Sequence, residues 1–338
     1  MLYPYADGYL KVSEIHTIYF SCWGNKTGRP LILIHGGPGY GSDLDMLAYI
    51  DLSIWNIIMF DQRGCGKSKP LGEILDNTTP SLIEDIKHLL DYLSIKKAVF
   101  MGASWGATLA IAFAEKYPSY VKSMILLGLF IGNNQGSLLG KYGGFEKYYP
   151  EYYNQYLSLL DEDERASPYK AYHDYILYGS NEEKELFSRK LIEIECITEK
   201  IEPDLLYANA VCNSVDVCSV AKIETYYTMN DFFLEPDQLF NNISNIHDIR
   251  ISIVHGRLDL IAPVIYAWKL SQLLNKCELH IIESCGHNID TLNGINLIKK
   301  AYEKIEFYAD KKLAIIMFSQ DDYKETKTKQ GYHLASDR

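Results

Sequence analysis

Apolar residues in this chain follow two recurring patterns. The runs Leu31–Ile34, Ile57–Phe60, Ala98–Met101 and Met124–Phe130 are almost unbroken, as expected of strands covered on both faces. Between the second and third, Leu82, Ile83, Ile86, Leu89, Leu90 and Leu93 recur with a helical period. At the start of that helix Pro80 suits the first turn, and Ser81 with Glu84 has capping-box spacing. Ala107–Phe113 predicts a second helix behind the third run. Such β-α-β-α alternation calls for a parallel sheet covered by helices. Ahead of it, residues 8–22 alternate and carry β-branched and aromatic residues, which fits a hairpin.

The alternation stops near residue 132. From there to about residue 240 the chain is aromatic-rich and helical in pattern, as in Phe145–Tyr149 and Glu182–Phe187, with no continuous β run. Strand-like runs resume at Ile249–Val254 and Glu278–Ile282, and residues 297–308 predict a final helix. The expected division is a core over 1–131 and 241–309, a helical insertion over 132–240, and a C-terminal extension over 310–338. In that extension the polar stretch Ser319–Arg338 is expected to be frayed or disordered. The apolar Leu313–Phe318 is left without a place.

The chemistry enters at Gly102-Ala103-Ser104-Trp105-Gly106, which sits between a predicted strand and a predicted helix. A Gly-x-Ser-x-Gly turn in that context lifts the serine above the sheet edge at a helix N-terminus. A serine at its ordinary pKa is a poor nucleophile and needs a base, itself oriented by a carboxylate. On an α/β-hydrolase sheet the chain order is Ser, acid, His. Asp259 follows in His255-Gly256-Arg257-Leu258-Asp259, just past a predicted strand, and His287 in Ser284-Cys285-Gly286-His287, past the last. Asp248 comes before its strand and Asp290 comes after the histidine, so Asp259 is preferred. The tetrahedral oxyanion needs N–H donors. The amide of Trp105 is one, and Gly37, in His35-Gly36-Gly37-Pro38-Gly39 after the first strand run, is positioned to bring the second.

The remaining composition narrows the partners. A net charge of −11 over 338 residues disfavours nucleic acid and acidic membranes. Seven cysteines, an odd number without a Cys-x-x-Cys pair, fit free thiols in a reducing compartment. No apolar run approaches the roughly 20 residues of a membrane span, so a cytoplasmic protein is expected. Gly64-Cys65-Gly66-Lys67-Ser68 lacks the glycine spacing of a phosphate loop. No cluster has metal-ligand spacing, and neither a metal nor another cofactor is expected.

Together, His35-Gly36-Gly37-Pro38-Gly39, Asp61-Gln62-Arg63-Gly64-Cys65-Gly66-Lys67-Ser68, Gly102-Ala103-Ser104-Trp105-Gly106 and the settings of Asp259 and His287 resemble the proline iminopeptidases from about Leu2 to about Tyr308. The resemblance implies an α/β-hydrolase fold: a mostly parallel central sheet covered by helices, with an inserted helical cap. It also implies a serine exopeptidase that releases N-terminal proline from small peptides with a free N-terminus. Gly37 and Trp105 would supply the oxyanion amides. Cap glutamates would hold the amino terminus, because a buried ammonium needs carboxylate partners. Glu224, in Lys222-Ile223-Glu224-Thr225-Tyr226-Tyr227, matches one, and Glu195, in Ile194-Glu195-Cys196, the other, with Glu193 as a competitor. Phe130 matches a pocket aromatic. Thr228 stands where the family has a further aromatic and Ala262 where a cysteine is common, so strictness for proline is open. A carboxylesterase or lactonase on the same scaffold is the second reading. A catalytically silent receptor is the third, and the intact Ser-Asp-His set argues against it.

Overall fold

In the computed structural model, residues 3–132, 144–289, 292–307 and 314–318 are described. The strands are β1 (Ala6–Lys11), β2 (Thr17–Gly24), β3 (Arg29–Ile34), β4 (Trp55–Phe60), β5 (Ala98–Ala103), β6 (Val121–Leu127), β7 (Arg250–Gly256), β8 (Cys277–Ile282) and β9 (Ala314–Phe318). They form one sheet in the order β1-β2-β4-β3-β5-β6-β7-β8-β9. β1 and β2 make the expected hairpin, β2 runs antiparallel to β4, and the pairings from β4 to β9 are parallel. Ala314–Phe318, the run without an assigned place, pairs with β8. The central sheet therefore takes in a segment beyond residue 309. The tail from Ser319 to Arg338 lies outside the described residues.

Helices α1 (Thr79–Tyr92) and α2 (Trp105–Lys116) belong to the alternating first part of the chain. Between β6 and β7 come α3 (Phe145–Tyr148), α4 (Pro150–Leu157), α5 (Pro168–Tyr178), α6 (Asn181–Thr198), α7 (Leu205–Ser214), α8 (Val217–Met229) and α9 (Gln238–Asn241), with no strand among the described residues. Helices α10 (Val264–Leu273) and α11 (Leu292–Phe307) complete the chain's last βα units. No described helix is long and apolar enough to cross a membrane.

The period of two in the strands sorts their side chains between two cores. Ile32, Ile34, Ile58, Phe60 and Phe100 pack with α1 and α2 on one face. Leu31, Leu33, Ile57, Met59 and Met101 meet Leu297, Ile298 and Tyr302 of α11 on the other. The insertion has its own core, in which Tyr156, Tyr172, Phe187 and Leu191 are buried. The cap of α1 is three residues earlier than the Ser81–Glu84 spacing suggested: it is Thr78, whose hydroxyl accepts from the Ser81 amide at 3.4 Å. Ser180 and Glu183 do form a reciprocal capping box at the head of α6.

One buried ion pair ties α1 to the loop after β4. Arg63 donates to both oxygens of Asp85, from Nε at 2.6 Å and Nη2 at 2.7 Å. Their side chains are only 6% and 2% exposed, so removing one charge strands the other in low dielectric. Asp85→Asn is expected to cost about 3–5 kcal/mol of stability, read as an earlier unfolding midpoint in urea.

Candidate active site

Ser104 sits between β5 and α2 with φ 53° and ψ −121°, a region a non-glycine residue occupies only under constraint. The constraint is close packing of backbone. A Cβ on Gly102 would lie 2.2 Å from the Gly106 carbonyl oxygen, and one on Gly106 would lie 2.1 Å from that of Ile34. The two glycines of the motif are therefore fixed by contact distance, and they force the strand to turn into the helix at Ser104. The Ser104 amide donates to the Leu127 carbonyl at 2.9 Å, which pins the turn to β6. Its side chain makes no helix-cap hydrogen bond.

Asp259 and His287 lie in the loops after β7 and β8, at the same sheet edge as Ser104. His287 Nδ1 is 2.7 Å from Asp259 Oδ2. The other Asp259 oxygen accepts from the Ala262 amide at 2.8 Å and the Ile261 amide at 3.1 Å. Ala262, where the family often has cysteine, thus acts through its backbone. Burial alone would lower the His287 pKa, but the Asp259 carboxylate, with Glu199 and Glu195 nearby, pushes it up to about 9. Burial opposes ionisation of Asp259 too, yet His287, His255 and the Ala262 amide hold its pKa below the usual carboxylate value. The His287 ring packs close to Gly128, where a Cβ would come within 3.3 Å of Cε1.

A further histidine completes this corner. His255 is fully buried; its Nδ1 accepts from the Leu129 amide at 3.1 Å, so Nε2 carries the hydrogen and donates to the Ala262 carbonyl at 2.7 Å. Nε2 also lies 3.4 Å from Asp259 Oδ2. Burial lowers its pKa and favours the neutral ring. Nothing in its local context separates this histidine from any other at a strand end.

Gly37 has φ +112° and its loop runs beside the nucleophile; a Cβ on neighbouring Gly36 would be 3.4 Å from Ser104 Cβ. Gln62 ties the start of the glycine loop, at His35, to the Trp105 side chain. Its side chain donates to the His35 carbonyl at 2.9 Å and accepts from Trp105 Nε1 at 2.9 Å, and its amide donates to His35 Nε2 at 3.0 Å. Asp61 holds the next turns, accepting from the Ser42 and Lys67 amides at 2.7 Å each. The Asp61–Ser68 motif is therefore a brace for the glycine loop, and Cys65 within it is a buried thiol whose pKa burial raises.

Ser104, His287, Gly37, Phe130, Glu195 and Glu224 all line one cavity of about 980 Å³ between sheet edge and insertion. Glu195 on α6 and Glu224 on α8 lie close enough to interact. Burial raises both carboxyls, Glu195 to about 7 and Glu224 well above its ordinary value, so the pair keeps a proton near neutrality. Tyr40 donates to Glu195 at 3.4 Å. Glu224 Oε2 is buried and has no hydrogen-bond partner among the described residues. Glu193 instead pairs with Lys190 at 3.1 Å. Glu199, one turn beyond Glu195, also faces the cavity and accepts from the Tyr207 hydroxyl at 2.8 Å. The i, i+4 spacing of Glu195 and Glu199 was the available sign that both share a helix face. Phe232 lines the cavity as well, and nothing in its sequence context marked it.

The family described as alpha/beta hydrolase fold matches residues 29–289. A proline iminopeptidase of Neisseria meningitidis serogroup A is 34% identical over 305 residues, covering 89% of this chain and 96% of that one. One from Arabidopsis thaliana is 33% identical over 287 residues, covering 84% of this chain and 76% of the relative. The chain belongs to the proline iminopeptidase family. Solved structures share the fold at lower identity. A bromoperoxidase from Bacillus anthracis superposes with a TM-score of 0.63 at 16% identity, covering 89% of this chain and 99% of that one. An esterase from Exiguobacterium antarcticum gives 0.60 at 19%, covering 88% and 98%.

Proposed function

We propose that this chain is a serine exopeptidase that releases N-terminal proline, or a similarly small residue, from peptides with a free amino terminus. The observation that carries the reading is the Glu195–Glu224 pair: a half-buried carboxyl beside a buried one that has an unpartnered oxygen, in the cavity that holds Ser104 and His287. Holding one proton, the pair carries one net negative charge, which matches one substrate ammonium. Without a cation the buried oxygen of Glu224 is uncompensated, so the pocket selects for charge as well as shape.

In this reading the insertion over 132–240 is a lid on a hydrolase core formed by 1–131 and 241–309, with β9 added at the sheet's end. Ser104 Oγ attacks the carbonyl carbon of the first peptide bond, and its proton passes to His287 Nε2. Asp259 holds the imidazole with Nδ1–H toward itself and stabilises the imidazolium. The amides of Gly37 and Trp105 receive the oxyanion. When the C–N bond breaks, His287 returns the proton to the leaving amine. Water, deprotonated by the same imidazole, then attacks the prolyl ester and frees proline. Phe130 bounds the side-chain pocket.

The test compares proline arylamide with its N-acetylated analogue. Acetylation removes the charge that the carboxyl pair binds, and kcat/KM is expected to fall by roughly two to three orders of magnitude, the scale of a lost buried charge contact. Equal rates would remove the amine site from the account and leave an esterase-like hydrolase.

A further inference from the structure

Asp231, Phe232 and Phe233, just past α8, have φ of +48°, +54° and +52° in succession. None is glycine. A side chain in this left-handed region meets its own backbone, and each such residue carries a conformational cost. A run of three persists only where the surroundings hold it. The Phe232 carbonyl accepts from Thr79 Oγ1 at 2.5 Å, at the head of α1. The Phe233 ring is clamped between Tyr226 and Tyr227, at 5.2 Å from each ring centre.

The turn delivers one side chain to the cavity. Phe232 is 4% exposed and lines the cavity wall. Its ring centre is 4.9 Å from Phe130, edge to face, and 5.7 Å from Trp105. Phe130 is itself fixed, since its carbonyl accepts from Thr108 Oγ1. Gly132 packs beside Phe232: a Cβ added there would lie 3.8 Å from the Phe232 Cβ and 2.5 Å from Leu234 Cδ1. A phenylalanine needed only to fill a core requires no left-handed backbone. Here the strained turn holds an aromatic wall beside the residue whose amide would meet the oxyanion.

We propose that Phe232 is a specificity-determining residue: its ring closes the pocket for the substrate's N-terminal side chain and limits it to a group of about pyrrolidine size. The inference rests on the exopeptidase reading above. Phe130 and Phe232 meet at 67° and form a corner that suits a small ring. A leucyl or phenylalanyl side chain would have to displace a ring that the turn cannot release. Phe232 also supplies an aromatic surface in a pocket where position 228 is threonine.

The experiment measures kcat/KM for Pro-, Ala-, Leu- and Phe-arylamides with the wild-type protein, Phe232→Ala and Phe232→Gly. The Leu:Pro and Phe:Pro ratios are expected to rise about 10- to 100-fold in both variants, the range set by removing a pocket wall of this size. Phe232→Gly also relieves the left-handed backbone, so it keeps the fold if the alanine variant does not. Phe232→Tyr, which retains the wall, is expected to keep the wild-type ratios. Unchanged ratios in a folded Phe232→Gly protein would reduce Phe232 to packing and overturn the inference alone. A wild-type protein that cleaves none of the four would remove the exopeptidase reading, and the inference with it.

Discussion

Ser104→Ala is expected to lower kcat for proline arylamide by about 10⁴- to 10⁶-fold while the protein stays folded. The size follows from the serine acting as a unit with its base: losing the nucleophile also removes the use of His287 and Asp259, and only binding and oxyanion stabilisation remain. The folded state should not notice. The Ser104 side chain caps no helix N–H, and the turn is held by its amide on Leu127 and by the glycine contacts on either side. Urea midpoints of the two proteins should agree to within about 0.5 kcal/mol. A fluorophosphonate should label the wild type on the peptide containing Ser104 and leave the variant untouched. Retention of even one per cent of the wild-type rate would mean that another group attacks.

The reasons Ser104 could be found in the sequence are local. Gly102 and Gly106 are needed within five residues because two backbones touch there, and such a requirement leaves its mark in the chain itself. The glycine loop at Gly37 is legible on the same grounds. Asp259 and His287 were reached by a weaker rule, their order along the chain and their place after strands, and it sufficed because open α/β sheets gather their site at one edge.

Elsewhere the decisive physics was not local. Glu195 and Glu193 are both glutamates on α6; Glu193 pairs with Lys190 on the same helix, and only the packing of α6 against α8 brings Glu195 to Glu224. His255 acts through partners at Leu129, Ala262 and Asp259, brought together by tertiary packing. Phe232 is hidden for a different reason. Positive φ is foreseen where glycine or asparagine stands, and a left-handed phenylalanine contradicts that expectation. β9 was missed because five apolar residues after a helix pattern fit several roles until a free sheet edge is available.

Asp259→Asn should lower kcat by about 10⁴-fold and move the pH profile in a direction that a purely structural lesion would not. The wild-type carboxylate accepts Nδ1–H of His287 at 2.7 Å and leaves Nε2 free to take the serine proton. The Ile261 and Ala262 amides already donate to Oδ1, so an asparagine there turns its NH₂ toward His287 and favours the wrong tautomer. The charge matters separately. In the folded wild type the His287 pKa is raised to about 9 despite burial, chiefly because of Asp259, so free-enzyme kcat/KM rises with pH up to that region as the imidazole loses its proton. Removing Asp259's charge leaves burial as the larger influence, and the acid limb of the residual activity should shift to lower pH. Stability follows the same sign: protonated His287 stabilises the wild-type fold below its ordinary pKa of 6.5, and that contribution is lost as pH rises through about 9. In Asp259→Asn the pH dependence across that window should flatten. A variant whose acid limb stays in place would show that Asp259 does not set the basicity of His287.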